Sequence, residues 1–123
     1  MKHADFDLIL QIQCDLLLKT NQKARKEYAH GEVEDVFNNF NRVAADLQTD
    51  RKKILWVYLR KHLDGIVGHI NGVESQREPI EGRITDAQVY LMLLLGMIKE
   101  EQQNYEDLKK SDTLISITPV EKL

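Results

Sequence analysis

Apolar residues recur every three to four positions along almost the whole chain, and only Pro79 and Pro119 break the rhythm, so the pattern predicts helices. Four are expected. The first, about Asp5 to Glu27, sets Phe6, Ile9, Leu10, Leu16 and Leu17 on an apolar face. Lys, Arg and Gln gather at its C-terminal end, where cations suit the helix dipole, and "YAHGE" ends it with a turn at Gly31. The second, about Val33 to Leu47, places Val36, Phe37, Phe40, Val43, Ala44 and Leu47 within about 120° of a helical wheel. Asn39 and Asn41 border that stripe, positions suited to solvent, to a bridge between helices or to a ligand.

The third helix, about Arg51 to Asn71, carries a main stripe of Leu55, Leu59, Leu63, Ile66 and Ile70, widened by Trp56 and Val67. Beside it runs a second face of Tyr58, Lys61, His62, Gly65, Gly68, His69 and Gly72. Glycine weakens a helix by about 1 kcal/mol relative to alanine, so a row of glycines on one side implies close approach, by another backbone or by a flat ligand. In the fourth helix, Thr85 with Gln88 reads as a capping box and Ile84 with Val89 as a hydrophobic staple, which starts the helix near Thr85 and carries it to about Lys110. From Val89 to Ile98 it is apolar on every side. Such a helix is central in its fold or shared with a second chain, and three neighbours in so small a domain do not easily cover it. The expectation is one all-α domain over residues 1–110, a bundle of about four helices that oligomerises through the helix at 84–110. A short extended tail over 111–123 follows, β-type from Leu114 to Thr118.

Composition narrows the partners. The chain has 123 residues, 42% apolar and 30% charged, which suits a single core. With 17 basic and 20 acidic residues, net charge −3, nothing calls for a nucleic-acid polymer or an anionic membrane, while a nucleotide needs just a few cations. Cys14 stands alone, so neither an internal disulfide nor a thiolate metal cluster can form within one chain, and a cytoplasmic setting is expected. The opening "MKHADFDLIL" has no signal-peptide pattern, and no apolar run is long enough to cross a bilayer.

Few chemistries survive. No nucleophile elbow surrounds a serine, Cys14 reads as structural, and neither glycine-rich phosphate loop occurs. His62 and His69 lie two helical turns apart, about 10 Å, too far to share one ion even with Asp86 approaching, so neither a metal nor a cofactor is expected. The acidic residues Glu32, Glu34, Asp35, Asp64, Asp86, Glu100 and Glu101 do not form the dense cluster of a helical pyrophosphatase, and the Glu100–Glu101 pair reads as a solvated helix end. Magnesium therefore enters only with a hydrolytic alternative. What remains is Arg83, Asp86 and Tyr90 at the start of the fourth helix, facing Tyr58, Lys61, His62, Gly65 and His69 of the third. Those types suit a nucleotide: cations for phosphate, rings for a base, a carboxylate for hydroxyls or amines. The competing reading is an internal polar network, with Arg83 or Lys61 paired to Asp64 or Asp86.

The stretches "YAHGEVEDVFNNFNRVA", "LWVYLRKHLDGIVGHI" and "EPIEGRITDAQVYLMLLLGMI" carry Tyr28, Gly31, Asn39, Phe40, Lys61, His62, Asp64, Gly65, Arg83, Asp86 and Tyr90. In that combination the chain, over about residues 28–100, resembles the small phage and prophage proteins of the nucleotide modification associated domain family. The resemblance implies a helical domain, a phage origin and a link to nucleotides. That family also looks distantly similar to all-helical nucleoside triphosphate pyrophosphatases, whose magnesium-holding glutamates this chain lacks. The resulting expectation is an oligomeric protein that captures a linear or cyclic nucleotide without hydrolysing it, sequestering a host defence signal or handling modified nucleotides. Lys61 and Arg83 would hold phosphate, His62, His69 and Tyr90 would meet base or ribose, and Asp86 would orient them, with Asn39, Tyr58, Asp64 and Gly65 completing the site. The alternatives are a magnesium-dependent pyrophosphohydrolase using Asp64, Asp86 and glutamates of the second or fourth helix, and an interaction protein whose exposed fourth helix binds a host factor.

Overall fold

Helix signals dominate the chain, and a computed structural model, describing residues 1–28, 35–73 and 78–111, places them in an all-α bundle. The helices are α1 (His3–Tyr28), α2 (Asn38–Leu47), α3 (Arg51–Ile70) and α4 (Ile80–Ser111). The Gly31 turn, Glu32, Val33, Glu34 and the tail from Leu114 to Thr118 lie outside the described residues. No described helix is long and apolar enough to cross a membrane.

Local chemistry sets the boundaries. Asp35 accepts a hydrogen bond from the Phe37 amide at 2.8 Å, and its carbonyl accepts from the Asn38 amide at 3.1 Å. That aspartate turn holds the chain out of helix until Asn38, later than the periodicity predicts. Gln48 ends α2 in the left-handed conformation, φ 52°, and the Thr49 amide donates to Ala44 O at 2.9 Å. Gly72 does the same for α3 with φ 78°, so that glycine serves a turn.

The largest correction concerns α4, which begins at Ile80, five residues before the expected cap. Pro79 supplies the start: its carbonyl accepts from the Gly82 and Arg83 amides, and its lacking N–H costs nothing where amides have no helical partner. Thr85 is therefore buried inside the helix, its hydroxyl donating to Glu81 O at 2.9 Å. It also accepts from Gln13 Nε2 at 2.9 Å, and the same amide reaches Gln88 Oε1 at 2.6 Å. The two residues read as a cap are thus the seat on which α1 docks.

α3 and α4 form the central antiparallel pair, with α2 across α3 and α1 only lightly against α4. The core is small. Leu55 and Met97 are fully buried with Phe37, and Phe40, Tyr90, Leu93 and Leu94 pack against them. Arg51 stacks over the Phe37 ring, 5.0 Å from its centroid, while its Nη1 donates to Glu100 at 3.0 Å. Lys52 Nζ meets both oxygens of Glu101 at 2.8 Å. Glu100 and Glu101 consequently tie the start of α3 to α4 rather than ending a helix in solvent.

Asp50 caps α3, accepting from the Lys52 amide at 2.8 Å, and that bond, then the one to the Lys52 side chain, holds its carboxyl below the ordinary carboxylate range. The Lys52 ammonium is raised by its bonds to Glu101 first and Asp50 second. A depressed carboxyl stabilises the fold above its ordinary titration range and ceases to do so as pH falls through its folded value. A raised ammonium contributes below its ordinary range and loses that contribution as pH rises past it. Asp50→Ala is expected to lower stability by about 1 kcal/mol at neutral pH in urea unfolding. The gap to the parent narrows as pH drops below the carboxylate range. A gap unchanged there would remove the charged cap as its source.

Candidate functional site

The second face of α3 meets the first half of α4 in strict antiparallel register. Tyr58 stands opposite Tyr90, His62 opposite Asp86 and Gly65 opposite Arg83, so each helical step along α3 meets an equal step back along α4. Tyr58 and Tyr90 lie parallel, centroids 6.3 Å apart with 6° between their planes. His62 stacks on Tyr90 at 5.4 Å, and Phe40 of α2 sets its edge against both tyrosines at 6.0 and 6.5 Å. Such edge and offset contacts fix ring orientation and exclude water from one side. The other side of Tyr58 faces solvent.

Gly65 is the glycine that close approach requires. A Cβ there would collide with Nη1, Cδ and Cζ of Arg83, so the arginine side chain lies flat across the α3 backbone in the space a side chain would fill. At Gly68 an added Cβ meets only Val73 Cβ at 3.9 Å, an ordinary contact. What approaches Gly65 is therefore a guanidinium from α4, while no described residue comes as close to Gly68 or Gly72. Arg83 Nε is buried without a hydrogen-bond partner, and no carboxylate pairs with Arg83 among the described residues.

The pairing of Arg83 or Lys61 with Asp64 or Asp86 that the competing reading required does not form. Asp64 instead accepts from Arg60 Nε at 2.9 Å on the exposed outer side of α3. Lys61 is exposed and pairs with no acid among the described residues. Asp86 points to His62, Oδ2 lying 3.7 Å from Nδ1, and that buried nitrogen has no hydrogen-bond partner. Tyr58, His62, Gly65, Arg83, Asp86 and Tyr90 are thus brought together. No described hydrogen bond, ion pair or ring contact ties Asn39, Asp64 or His69 to them, and all three are exposed.

Two further residues reach the site in ways that periodicity does not disclose. Phe40 belongs to the apolar stripe of α2 and also props the tyrosines. Glu78, beside Pro79, comes close to His62 and Asp86: one donor atom from each of the three lies within 4.8 Å of the others. A charged residue next to proline reads as linker, and only the α3–α4 register brings it to His62.

The row offers a half-open aromatic surface, a guanidinium without a carboxylate partner among the described residues and a carboxylate beside an imidazole, a set able to hold a flat, anionic, hydroxyl-bearing molecule. No family model, no curated protein and no solved structure matches this chain.

Proposed function

We propose that the chain captures a phosphorylated nucleotide, linear or cyclic, on the α3–α4 face without hydrolysing it. The observation that carries this reading is Arg83 laid over Gly65, unpaired with any described carboxylate, in the same row as the stacked Tyr58, Tyr90 and His62. Arg83 takes phosphate, with the exposed Lys61 as a second cation, because a guanidinium matches phosphate oxygens in a two-bond fork. The open ring of Tyr58 takes the base, and Asp86 takes ribose hydroxyls or base amines. The resemblance over residues 28–100 supports the nucleotide class. It also supports a phage protein acting in the host cytoplasm, sequestering a defence signal or handling modified nucleotides. Self-association is part of the reading, since α1 and the outer face of α4 expose large apolar side chains that further copies would cover.

Hydrolysis has weaker support. Glu100 and Glu101 are neutralised by Arg51 and Lys52, and Asp64 by Arg60, so these carboxylates do not converge on a magnesium ion.

The test is incubation of the purified chain with linear and cyclic nucleotides, with and without magnesium, followed by removal of free ligand, denaturation and identification of what is released. Intact nucleotide freed only on denaturation is expected. Magnesium-dependent products would overturn capture in favour of hydrolysis, and release of nothing would sink both. Arg83→Ala should weaken binding by about 10- to 100-fold, the worth of a charge-assisted contact. Gly65→Ala should also weaken it although the arginine is still present, because the new methyl takes its seat, while α3 itself gains helix propensity. Normal binding by both variants would remove this face as the site.

A further inference from the structure

Imidazole and carboxylate groups that converge on an unsatisfied nitrogen describe a cation site, and one lies at the edge of the aromatic row. His62 comes from the middle of α3, Asp86 from the second turn of α4 and Glu78 from the residue before Pro79. One donor atom from each falls within 4.8 Å of the others.

The His62–Asp86 distance decides how to read the pair. At 3.7 Å, Nδ1 and Oδ2 are too far apart for a hydrogen bond. The separation does suit two ligands of one ion: donors each about 2.1 Å from a zinc-like cation and 3.7 Å from one another subtend about 120° at the metal. The His62 side chain is only 13% exposed, and its Nδ1 has no hydrogen-bond partner among the described residues, an arrangement that destabilises the fold unless something meets that nitrogen. Two carboxylates supply the charge that balances a divalent cation. Asp86 is half exposed and Glu78 is exposed, which leaves the ion an entry path and Glu78 the freedom to close the last ångström.

We propose that His62, Glu78 and Asp86 bind a divalent first-row transition ion of the zinc or manganese class, through Nδ1 and one oxygen of each carboxylate. One imidazole with two carboxylates favours this class over magnesium or calcium, which take oxygen-only shells, and three protein ligands leave further positions for solvent or a small anion. Donor geometry alone carries the site, so it stands or falls separately from nucleotide capture. It replaces the pairing of His62 with His69, which lies two turns along α3, by one with Glu78.

The experiment is titration of the chelator-treated full chain with zinc, manganese and magnesium by calorimetry, and with cobalt(II) followed by its visible absorption. One zinc or cobalt ion per chain is expected, bound more tightly than magnesium. Asp86→Asn and Glu78→Gln, at positions with enough exposure to leave the fold intact by circular dichroism, should each weaken binding by about 10- to 100-fold, and His62→Ala should abolish the cobalt bands. Asp107→Asn, on the far part of α4, should change nothing. Absence of saturable binding, equal preference for magnesium, or zinc affinity that survives in Asp86→Asn and Glu78→Gln would each overturn the site.

Discussion

Leu55→Ala is expected to destabilise the protein by about 3–4 kcal/mol, among the largest losses a single truncation here should produce. Leu55 has no exposed surface and sits where α2, α3 and α4 meet, against Phe37 and Met97. A cavity there cannot collapse easily. Phe37 is held by the stacked Arg51 guanidinium, and Gly96 leaves it no slack, since an added Cβ at Gly96 would lie 3.0 Å from Phe37 Cζ. With few buried apolar residues in the whole core, the fold has little to offset the loss, and small domains hold only about 5–15 kcal/mol in total. Urea unfolding should show the midpoint falling with an unchanged slope, whereas Lys99→Ala, on the exposed side of α4, should stay within about 0.5 kcal/mol. A Leu55→Ala variant within 1 kcal/mol of the parent would mean the helices repack around the gap.

The second large effect concerns the surface one chain leaves uncovered. Ile84, Leu91, Met92 and Leu95 of α4 are 41%, 50%, 58% and 38% exposed, and Phe6, Leu8, Ile9, Leu10, Ile12 and Leu16 of α1 are similarly open. Apolar surface of this extent on two adjacent helices is uncommon on a monomer. If further copies cover it, as proposed, replacing Leu91 and Met92 together by glutamate removes about 2–3 kcal/mol of apolar burial per chain and adds two charges to desolvate. The association constant should then fall by more than about 100-fold. Sedimentation of the parent at micromolar concentration should show a multimer and the double variant a single chain with the same helical spectrum. A parent that sediments as a monomer, or a double variant that still assembles, would remove this face as the contact.

These two predictions draw on parts of the molecule that differ in how readily the sequence discloses them. Period 3.6 was enough for the helices and for burial of Leu55 and Leu59, because each depends on residues a turn or two apart, but of the glycine row predicted on α3 only Gly65 is closely approached. The misplaced start of α4 shows where that ends. Thr85 and Gln88 have the spacing of a capping box, but the same spacing serves equally for two neighbours on one helical face, and only the approach of Gln13 from 72 residues away distinguishes them. Glu100 and Glu101 were misleading for the same reason, since their partners Arg51 and Lys52 stand 49 residues back. Glu78 is the extreme case: nothing local marks it. The apolar side of α1 was legible as a pattern, yet the pattern does not say which molecule supplies the surface that covers it.

The seat of Arg83 on Gly65 bears on how this chain can vary by descent. An arginine at 83 in its present pose excludes any side chain at 65, whereas glycine at 65 sets no steric requirement on residue 83, so the constraint runs one way. A lineage that acquired alanine at 65 would inherit a displaced guanidinium, and the change most readily tolerated next would be a shorter residue at 83. Arginine at 83 in this pose should therefore persist only where 65 is glycine, a one-way linkage written into inheritance by one steric contact between two helices.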